Sequence, residues 1–335
     1  MLLLRGYDLD LNSNLFQSDA WHSAWTDVWG GSNPIQMSDA PHHKHFYQVT
    51  QQLKGWLYVD SFVPCGSHSD ANSGVRSEYF QISERFSEAI VAQAITSFAG
   101  QMIIPDVIVQ GPTAKVIASL VAKSGCQLVV RNKELAYSVD CREGDFERYL
   151  FQLSGNTRAK VFNRRTRLKT MGTVTVGNMW PDVDAFIDIL NHFHEARWSK
   201  PCFQGKNLSF VKTLLLNLGK QNKAVNLSAL KLDQRVVSVA LDIEYGNRVF
   251  NLQLGYDQSL SKGLSLGLLH LGYSIEDAMK KPGIYWYDML AGQGKNTAYK
   301  QKLATSAIEL ADFVVVKPKW LQWLYQINEL RRSNR

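Results

Sequence analysis

The chain is poor in the features that mark secreted, membrane-spanning and metal-binding proteins. Its four cysteines, Cys65, Cys126, Cys141 and Cys202, include no CxxC pair, so neither a zinc ribbon nor a redox motif is indicated. No apolar run is long enough to cross a bilayer. The first residues, MLLLRGYDLDL, lack the basic leader and sustained apolar core of a signal peptide. We therefore expect a cytoplasmic protein with reduced thiols.

Acidic residues are scarce relative to basic ones. The chain has 37 Lys and Arg against 30 Asp and Glu, which gives a net charge of +7 and a pI near 9.1. Such a surface favours anionic partners: nucleotide cofactors, acidic sugars, tRNA or an anionic membrane surface. The hydrophobic content of 45% is typical of a folded protein, and 335 residues are enough for two domains.

Motifs for covalent catalysis and for metal binding are missing as well. The sequence has no Gly-x-Ser-x-Gly elbow and no pattern that pairs a cysteine with a histidine, so no covalent nucleophile is predicted. His42, His43 and His45 follow Pro41 in a polar loop, but no further ligand accompanies them. We predict a solvated loop there and no metal site.

Strands alternate with helices in residues 1–144. The predicted elements are a helix within 12–30, a strand at 55–64, a helix at 83–100, a β-rich run at 102–111, a helix at 113–125 and two strands within 127–141. This alternation favours an α/β fold with helices on the sheet faces. Trp21 and Trp25 recur at helical spacing, either as core residues or as the wall of an aromatic pocket. We interpret this half as scaffold and pocket wall.

Residues 145–172 are predicted to form a basic helix that links the two halves. The segment carries six basic residues and no acid between Arg158 and Lys169: Arg158, Lys160, Arg164, Arg165, Arg167 and Lys169. Like charges this close destabilise an isolated helix, so a bound anion or acidic groups elsewhere should offset them. The helix is therefore either an anion-binding rim for a cofactor, an acidic sugar or RNA, or a solvated basic face.

The second half predicts a specific order of elements. Two helices, at 182–198 and 206–219, precede three antiparallel strands, a Gly-bearing loop, a helix, a strand, a helix and a strand. In the first of these helices, His194 is interpreted as a hydrogen-bonded core histidine, and Arg197 as an arginine with a carboxylate or phosphate partner. The Gly-bearing loop precedes a helix N-terminus, where unpaired N–H groups and the helix dipole suit a phosphate.

Four segments of the linking helix and the second half together resemble the GNAT acyltransferases, in particular their BioF2-like or CelD-like branch: LSGNTRAKVFNRRTRL, FHEARW, LGYDQSLSKGLSLGLLHLGYSIEDA and YDMLAGQGKNTAYK. This branch is associated with bacterial exopolysaccharide and cellulose loci. It is akin to the FemABX aminoacyltransferases, which carry two GNAT-like domains in tandem. The resemblance implies a degenerate GNAT-like domain at 1–144 and an acyltransferase domain at 145–335. Each would have a mixed, mostly antiparallel sheet flanked by helices.

The resemblance also implies a site for acyl-CoA, such as acetyl-CoA, as cosubstrate. In GNAT proteins the strand that corresponds to 248–256, which includes Leu254, offers backbone groups to the pantetheine arm. The loop and helix start that follow bind the pyrophosphate through backbone N–H groups. By position, the residues implied here are Lys262, Gly263, Leu264, Ser265 and Gly267.

Two catalytic residues are predicted. Asp288 ends an apolar strand beside Trp286 and Tyr287, where a raised pKa would suit a general base; the alternative is a structural partner of Arg197 or a helix cap. Tyr299 matches the family's tyrosine at the next helix, and the resemblance implies that it protonates a thiolate leaving group. The alternative is that Tyr299 has no catalytic role and only packs against the rest of the fold.

The predicted substrate-binding residues are basic or aromatic. Lys300 follows the family's tyrosine and is implied to bind a phosphate or a sugar carboxylate, with a solvated lysine as the alternative. The remaining predicted substrate-binding residues are Arg158, Arg164, Arg165, Arg197 and Trp198.

These features together predict an acyltransferase that uses acyl-CoA, without a metal, to modify an amino or hydroxyl group of a sugar or polysaccharide precursor. The first alternative is a FemABX-like transferase that takes its acyl group from aminoacyl-tRNA, which the basic helix suits equally well. The second is a catalytically silent GNAT-like protein that binds a polysaccharide synthesis complex. The loop does not reproduce the usual Q/R-x-x-G-x-G/A signature, and both alternatives fit that departure.

Overall fold

The computed structural model describes residues 13–30, 34–35, 45–67, 76–222, 224–292 and 295–333. His42, His43 and most of the polar loop that includes them lie outside the described residues. No helix among the described residues is both long and apolar enough to cross a membrane.

The elements alternate along the chain as an α/β fold requires. The strands are β1 (Pro34–Ile35), β2 (Phe46–Lys54), β3 (Leu57–Pro64), β4 (Gln101–Ile108), β5 (Gln127–Asp140), β6 (Val174–Asn178), β7 (Ala224–Leu232), β8 (Arg235–Tyr245), β9 (Arg248–Tyr256), β10 (Trp286–Ala291) and β11 (Ser306–Val316). The helices are α1 (Asp19–Trp29), α2 (Glu88–Ser97), α3 (Pro112–Ser124), α4 (Phe146–Gln152), α5 (Gly155–Arg158), α6 (Arg164–Lys169), α7 (Val183–Trp198), α8 (Gly205–Lys220), α9 (Gln258–Ser261), α10 (Leu266–Lys280), α11 (Lys295–Leu303) and α12 (Lys319–Ser333).

The chain divides into two compact units. The larger unit comprises Ala136–Ile308 with the described end of Met1–Asn14, and the smaller unit comprises Leu15–Leu135 with Glu309–Arg335 as far as it is described. The part of β11 after Ile308 and α12 belong to the smaller unit. The domains 1–144 and 145–335 stay a prediction.

The larger unit is built on strands in the order β6-β7-β8-β9-β10-β5. Neighbouring strands in this sheet are antiparallel, except for β9 and β10, which are parallel to each other. Parallel neighbours need a crossover, and α10 provides it. Gly255 of β9 packs against α7, whereas Leu254 and Tyr256 pack against Gly267 of α10. Because successive strand residues point to opposite faces, α7 and α10 lie on opposite faces of β9.

The smaller unit repeats this motif. Its strand order is β1-β2-β3-β4-β11, with β3 parallel to β4 and α2 as the crossover between them. Its apolar core contains Phe62 and Phe98 beside Met102 and Ile104. Trp21 and Trp25 of α1 are buried, as the core interpretation predicts. Each unit therefore has a mixed sheet with one helix-linked parallel pair, which confirms the predicted α/β class.

The predicted basic helix at 145–172 is interrupted twice. It consists of α4, α5, a π-helical segment at Ala159–Asn163, and α6. Within it, Val161 and Leu168 are fully buried. A Cβ atom at Gly272 of α10 would overlap the carbonyl oxygen of Val161, so the glycine permits the close approach of α10 to this segment. π-helical turns are rare and frequently mark functional sites.

Candidate active site

The parallel strands β9 and β10 separate part-way along their length. Their parallel register pairs Trp286 with Arg248 and ends where Asp288 pairs with Phe250. β9 continues from there to Tyr256 and stays paired with β8 along this stretch. The result is a fork that opens between β9 and β10 towards their C-terminal ends, where ligands bind in open α/β sheets.

The backbone of Leu254 faces this fork. Asp257 donates its N–H to Val237 of β8, and the carbonyl of Gly255 accepts a hydrogen bond from Ser238 of β8. Because backbone groups of successive strand residues point in opposite directions, the N–H and C=O of Leu254 point away from β8. The structure thus places the predicted cofactor-binding backbone at the fork.

The loop between α9 and α10 has two residues in left-handed conformations. Gly263 has a φ of +84° and Ser265 a φ of +57°, both in the left-handed region. Lys262 is exposed, while the side chain of Leu264 is buried in a core cluster, so only its backbone is available. At Gly267 a Cβ atom would lie 2.8 Å from the ring of Tyr256, so a larger residue would push this helix start away from β9.

Two arginines of the basic segment reach this loop. Nη1 of Arg164 lies 2.5 Å from Oγ of Ser265, the residue before the first turn of α10. The guanidinium of Arg167 lies beside Gly263, where a Cβ atom would come within 2.9 Å of its Nη1. The helix N-terminus therefore gains two positive charges in addition to its dipole.

The other two predicted arginines of the segment do not reach the loop. Arg165 forms an ion pair with Glu276, and its guanidinium lies 3.7 Å from the ring centroid of Tyr273. Arg158 lies 5.8 Å from the ring centroid of Phe151. Arg165 thus binds the basic segment to α10, and the substrate-binding role predicted for both residues stays a prediction.

The C-terminal end of α7 borders the fork from the opposite face of β9. Gly255 permits this approach, because a Cβ atom there would lie 2.8 Å from Leu190 of α7. Nε2 of His194 lies 3.3 Å from the carbonyl oxygen of Leu254. Since a carbonyl only accepts hydrogen bonds, the imidazole donates from Nε2. Burial, and then the positive charge of Arg197, lower the pKa of His194 below its usual value.

Arg197 lies over two aromatic rings in the last turn of α7. Its guanidinium carbon is 4.7 Å from the ring centroid of Trp198 and 5.1 Å from that of Tyr256. Both Arg197 and Trp198 are exposed. Within the described residues, no carboxylate forms an ion pair with Arg197, and its guanidinium packs on the two rings.

Tyr299 of α11 belongs to the same cluster, and its charge state depends on Arg197 and Tyr256. Burial raises the pKa of Tyr299 to about 12, although the positive charge of Arg197 opposes this shift. The phenol therefore stays protonated at neutral pH and is able to donate a proton. This state fits the acid role that the resemblance implies.

Asp288 and Lys300 support the end of β10. Both side chains of the Asp288–Arg248 ion pair are 0% exposed, with Nη1 2.9 Å from Oδ2. Oδ1 of Asp288 accepts the N–H of Leu290, a residue with φ of +63° at an irregularity of the β5–β10 ladder. Nζ of Lys300 donates to the carbonyls of Leu290 and Ala291.

This geometry favours the structural alternative for Asp288, with Arg248 rather than Arg197 as its partner. Strained backbone next to a site persists only where its surroundings hold it, and Asp288 and Lys300 hold Leu290. The catalytic role of Asp288 and the anion-binding role of Lys300 stay predictions.

Two residues of this site are absent from the site residues that the sequence predicts: His194, which the sequence places in the core, and Tyr256. Arg167 is predicted only as one of the basic residues of the anion-binding rim alternative. A signal for His194 and Tyr256 exists in the segment LGYD: a glycine between Leu254 and Tyr256 in a strand indicates that a helix approaches the backbone closely there.

One segment of the chain matches a known protein family, and solved structures with a similar fold exist. Residues 155–301 match the family model of the acetyltransferase (GNAT) domain. No curated protein sequence matches the chain.

Solved structures with similar folds cover nearly the whole chain. One is the C-terminal domain (DUF2156) of a protein described as a lysylphosphatidylglycerol synthetase from Agrobacterium fabrum, with a TM-score of 0.53, 12% identity, and 94% of this chain and 92% of that chain covered. Another is FemX, with a TM-score of 0.54, 12% identity, and 91% and 93% covered. A conserved protein of unknown function from Bacteroides thetaiotaomicron has a TM-score of 0.51, 11% identity, and 91% and 92% covered.

At such low identity these structures establish a shared fold. The matched segment 155–301 contains the basic helices, α7, the β9–β10 fork, the α10 N-terminus and Tyr299. The chain therefore has an α/β fold, and the segment that matches the acetyltransferase (GNAT) domain is the one that carries the candidate site.

Proposed function

We propose that the larger unit catalyses acyl transfer from acyl-CoA to an amino or hydroxyl group of an acceptor. The observation that carries this proposal is the fork between β9 and β10, which opens beside an arginine-flanked helix N-terminus. Within the described residues, the fork, the α9–α10 loop and the end of α7 are contributed by one unit.

The residues present fit the pyrophosphate of the donor. The first turn of α10 offers unpaired N–H groups, and the left-handed conformations of Gly263 and Ser265 shape the loop before it. Arg164 and Arg167 add two guanidinium groups that suit phosphate oxygens. The backbone of Leu254 at the fork suits an extended arm that pairs with it as a strand would. When bound, the donor supplies the acyl group as a thioester.

The acceptor is proposed to enter at the end of α7. Arg197 is exposed and oriented by two rings, which suits a carboxylate or phosphate on the acceptor. Trp198 offers an exposed ring for a sugar face. The sequence resemblance to the BioF2-like and CelD-like branch supports a sugar or polysaccharide precursor as the acceptor class.

A second candidate donor is aminoacyl-tRNA. The specific observation in its favour is that Arg167 is exposed beside the α9–α10 loop and Lys169, two positions later, is exposed as well, so the exposed basic surface is not limited to the loop. The fold is also similar to that of FemX, and a FemABX-like transferase is the alternative that takes its acyl group from aminoacyl-tRNA. This similarity is one of fold alone.

Thermal unfolding with and without millimolar acetyl-CoA tests the first proposal. A ligand that binds only the folded state stabilises it by about 2.7 kcal/mol at a hundredfold excess over its dissociation constant. We expect an upward shift in Tm for the wild type and for Lys212→Ala, which removes one distant charge on α8. The double variant Arg164→Ala/Arg167→Ala should lose the shift.

Two other outcomes lead to different conclusions. Absence of a shift in the wild type would contradict the acyl-CoA proposal. Salt-sensitive binding of aminoacyl-tRNA by the same protein would then favour the second candidate. A protein that binds neither would be the catalytically silent, partner-binding alternative.

A further inference from the structure

We infer that His194 is the general base of the proposed acyl transfer, with Nδ1 as the atom that accepts the proton of the acceptor. This inference rests on the proposed function and adds a catalytic residue to it. Four observations carry it, and they concern the position of the ring, its tautomer, its surroundings and its partner acid.

The position of His194 follows from the packing of α7 on β9. Leu190 and Phe193 pack against Gly255, which fixes the last turns of α7 at the fork. The imidazole then meets the carbonyl of Leu254, whose backbone faces the open side of β9. A thioester arm that pairs with this stretch of β9 lies beside the imidazole.

The hydrogen bond to Leu254 determines the tautomer. Nε2 carries the hydrogen because the carbonyl oxygen only accepts, so Nδ1 carries the lone pair when the ring is neutral. Among the described residues, no group forms a hydrogen bond with Nδ1. The nitrogen that is able to accept a proton is therefore available to an acceptor.

The surroundings keep the ring neutral. Half-burial disfavours the imidazolium, the carbonyl of Leu254 favours it, and the guanidinium of Arg197 disfavours it. The net effect is a pKa below the usual value of 6.5, so the base is in its active form at neutral pH. Tyr299, which the charge of Arg197 also affects, stays protonated.

Base and acid complete a balanced transfer. The acceptor nitrogen or oxygen forms a bond to the thioester carbon and gives its proton to Nδ1 of His194. The carbon–sulfur bond breaks, and the sulfur takes the phenolic proton of Tyr299. The imidazolium returns its proton to the phenolate through solvent, so the net change moves one proton from acceptor to thiol.

A matched pair of variants on one helix tests the inference. His194→Gln keeps an amide donor for Leu254 but removes the base, and His192→Gln changes an exposed histidine two positions earlier. With acetyl-CoA and glucosamine as probes, we expect thiol release to fall about 100-fold or more in His194→Gln. His192→Gln should match the wild type, and both variants should keep the wild-type Tm shift with acetyl-CoA.

Two readouts are independent of the variants' activity. Carbethoxylation by diethyl pyrocarbonate, mapped by mass spectrometry, should slow several-fold at His194 when acetyl-CoA is present and stay unchanged at His192. The pH dependence of this carbethoxylation without ligand should place the titration of His194 below the usual histidine value of 6.5. In the wild type, the rate of thiol release should fall as the pH drops through this lower value, because the base is then protonated.

The outcomes separate this inference from the proposed function. One outcome overturns the inference and leaves the acyl-CoA proposal standing. In that outcome acetyl-CoA raises the Tm, but diethyl pyrocarbonate modifies His194 equally fast with and without acetyl-CoA. The inference is also overturned if His194→Gln releases thiol at the wild-type rate. Absence of any Tm shift removes the donor, and the role of His194 with it.

Discussion

The guanidinium of Arg164 lies 2.5 Å from the hydroxyl oxygen of Ser265, the residue that immediately precedes α10. These residues are 101 positions apart in the chain. Their contact places a basic helix at the N-terminus of another helix, where the dipole already favours an anion. The adjacent Arg165 points elsewhere, to Glu276 and Tyr273.

Because the two arginines have different surroundings, we predict opposite effects of their replacement. Arg164→Ala removes one charged donor to a bound pyrophosphate, which weakens acetyl-CoA binding by about 10-fold or more. Its Tm should change little. Arg165→Ala removes an ion pair and a cation–π contact with little exposure, which destabilises the fold by about 1–3 kcal/mol.

Isothermal titration with acetyl-CoA and urea unfolding together measure these two effects. Arg165→Ala should bind acetyl-CoA as tightly as the wild type at a temperature where it is folded. Equal losses of affinity in both variants would contradict the assignment of Arg164, rather than Arg165, to the donor site.

We predict that Gly272→Ala is destabilising although alanine favours helices. A Cβ atom at Gly272 overlaps the carbonyl oxygen of Val161, which belongs to the π-helical segment and is itself held by a buried side chain. Overpacking of this kind costs about 1–3 kcal/mol. Helix propensity offsets about 1 kcal/mol of that cost, so the net loss of stability is up to about 2 kcal/mol.

Gly155→Ala is the matched control for Gly272→Ala. Gly155 also lies in a helix, but no atom lies within 4 Å of a Cβ atom built there. The control should keep or raise the free energy of unfolding. If both variants have wild-type stability by urea unfolding, then α10 does not approach the basic segment as closely as described.

Local patterns were enough to predict most elements of the larger unit. Asp182 caps α7 through a hydrogen bond to the N–H of Ala185, as its side-chain type predicts. The hairpin turn that follows β7 has Asp233 and Gln234 in left-handed conformations. Each of these features depends on a few neighbouring residues, so the sequence alone determines them.

The features that the sequence did not reveal depend on contacts between distant residues. The spacing of Lys160, Arg164 and Arg167 predicts one basic face, but that spacing assumes a regular α-helix. The π-helical segment lies between Lys160 and Arg164 and changes the angle between them. Arg164 and Arg167 both lie in α6 after this segment and reach the same loop. Neither the π-helical turn nor the left-handed conformation of Leu290 has a local sequence signal.

Our third prediction is that His270 makes the stability of the larger unit depend on pH. The ring is 0% exposed, with Nε2 2.9 Å from Oγ of Ser228 and Nδ1 2.9 Å from Oγ of Ser238. Burial lowers the pKa of His270 to about 3. Between about pH 6.5 and pH 3 the unfolded chain binds a proton that the folded protein does not, so stability falls as the pH falls.

The expected loss from this one group is about 2 kcal/mol between about pH 7 and pH 5. Urea unfolding at both pH values measures it, and comparison with His270→Gln isolates it, because the variant should lose less stability over this interval. His192→Gln, at an exposed site, should behave as the wild type does. A native imidazole of His270 that titrates near pH 6.5 by NMR would refute the prediction.

Our fourth prediction separates the structural role of Asp288 from a role as general base. Asp288→Asn keeps an oxygen for the N–H of Leu290 but removes the charge that Arg248 faces at 0% exposure. A buried charge that loses its partner destabilises a protein by about 3–5 kcal/mol. Asp140→Asn, which breaks the partly exposed pair with Arg142, should cost no more than about 1 kcal/mol.

The two roles predict opposite combinations of stability and rate. The structural role predicts a large fall in the free energy of unfolding and, at a temperature where the variant is folded, thiol release within a few-fold of the wild type. A general base predicts wild-type stability and a rate reduced by a factor of about 100 or more. Because Asp288 forms its ion pair with Arg248 where both side chains are 0% exposed, we expect the first combination.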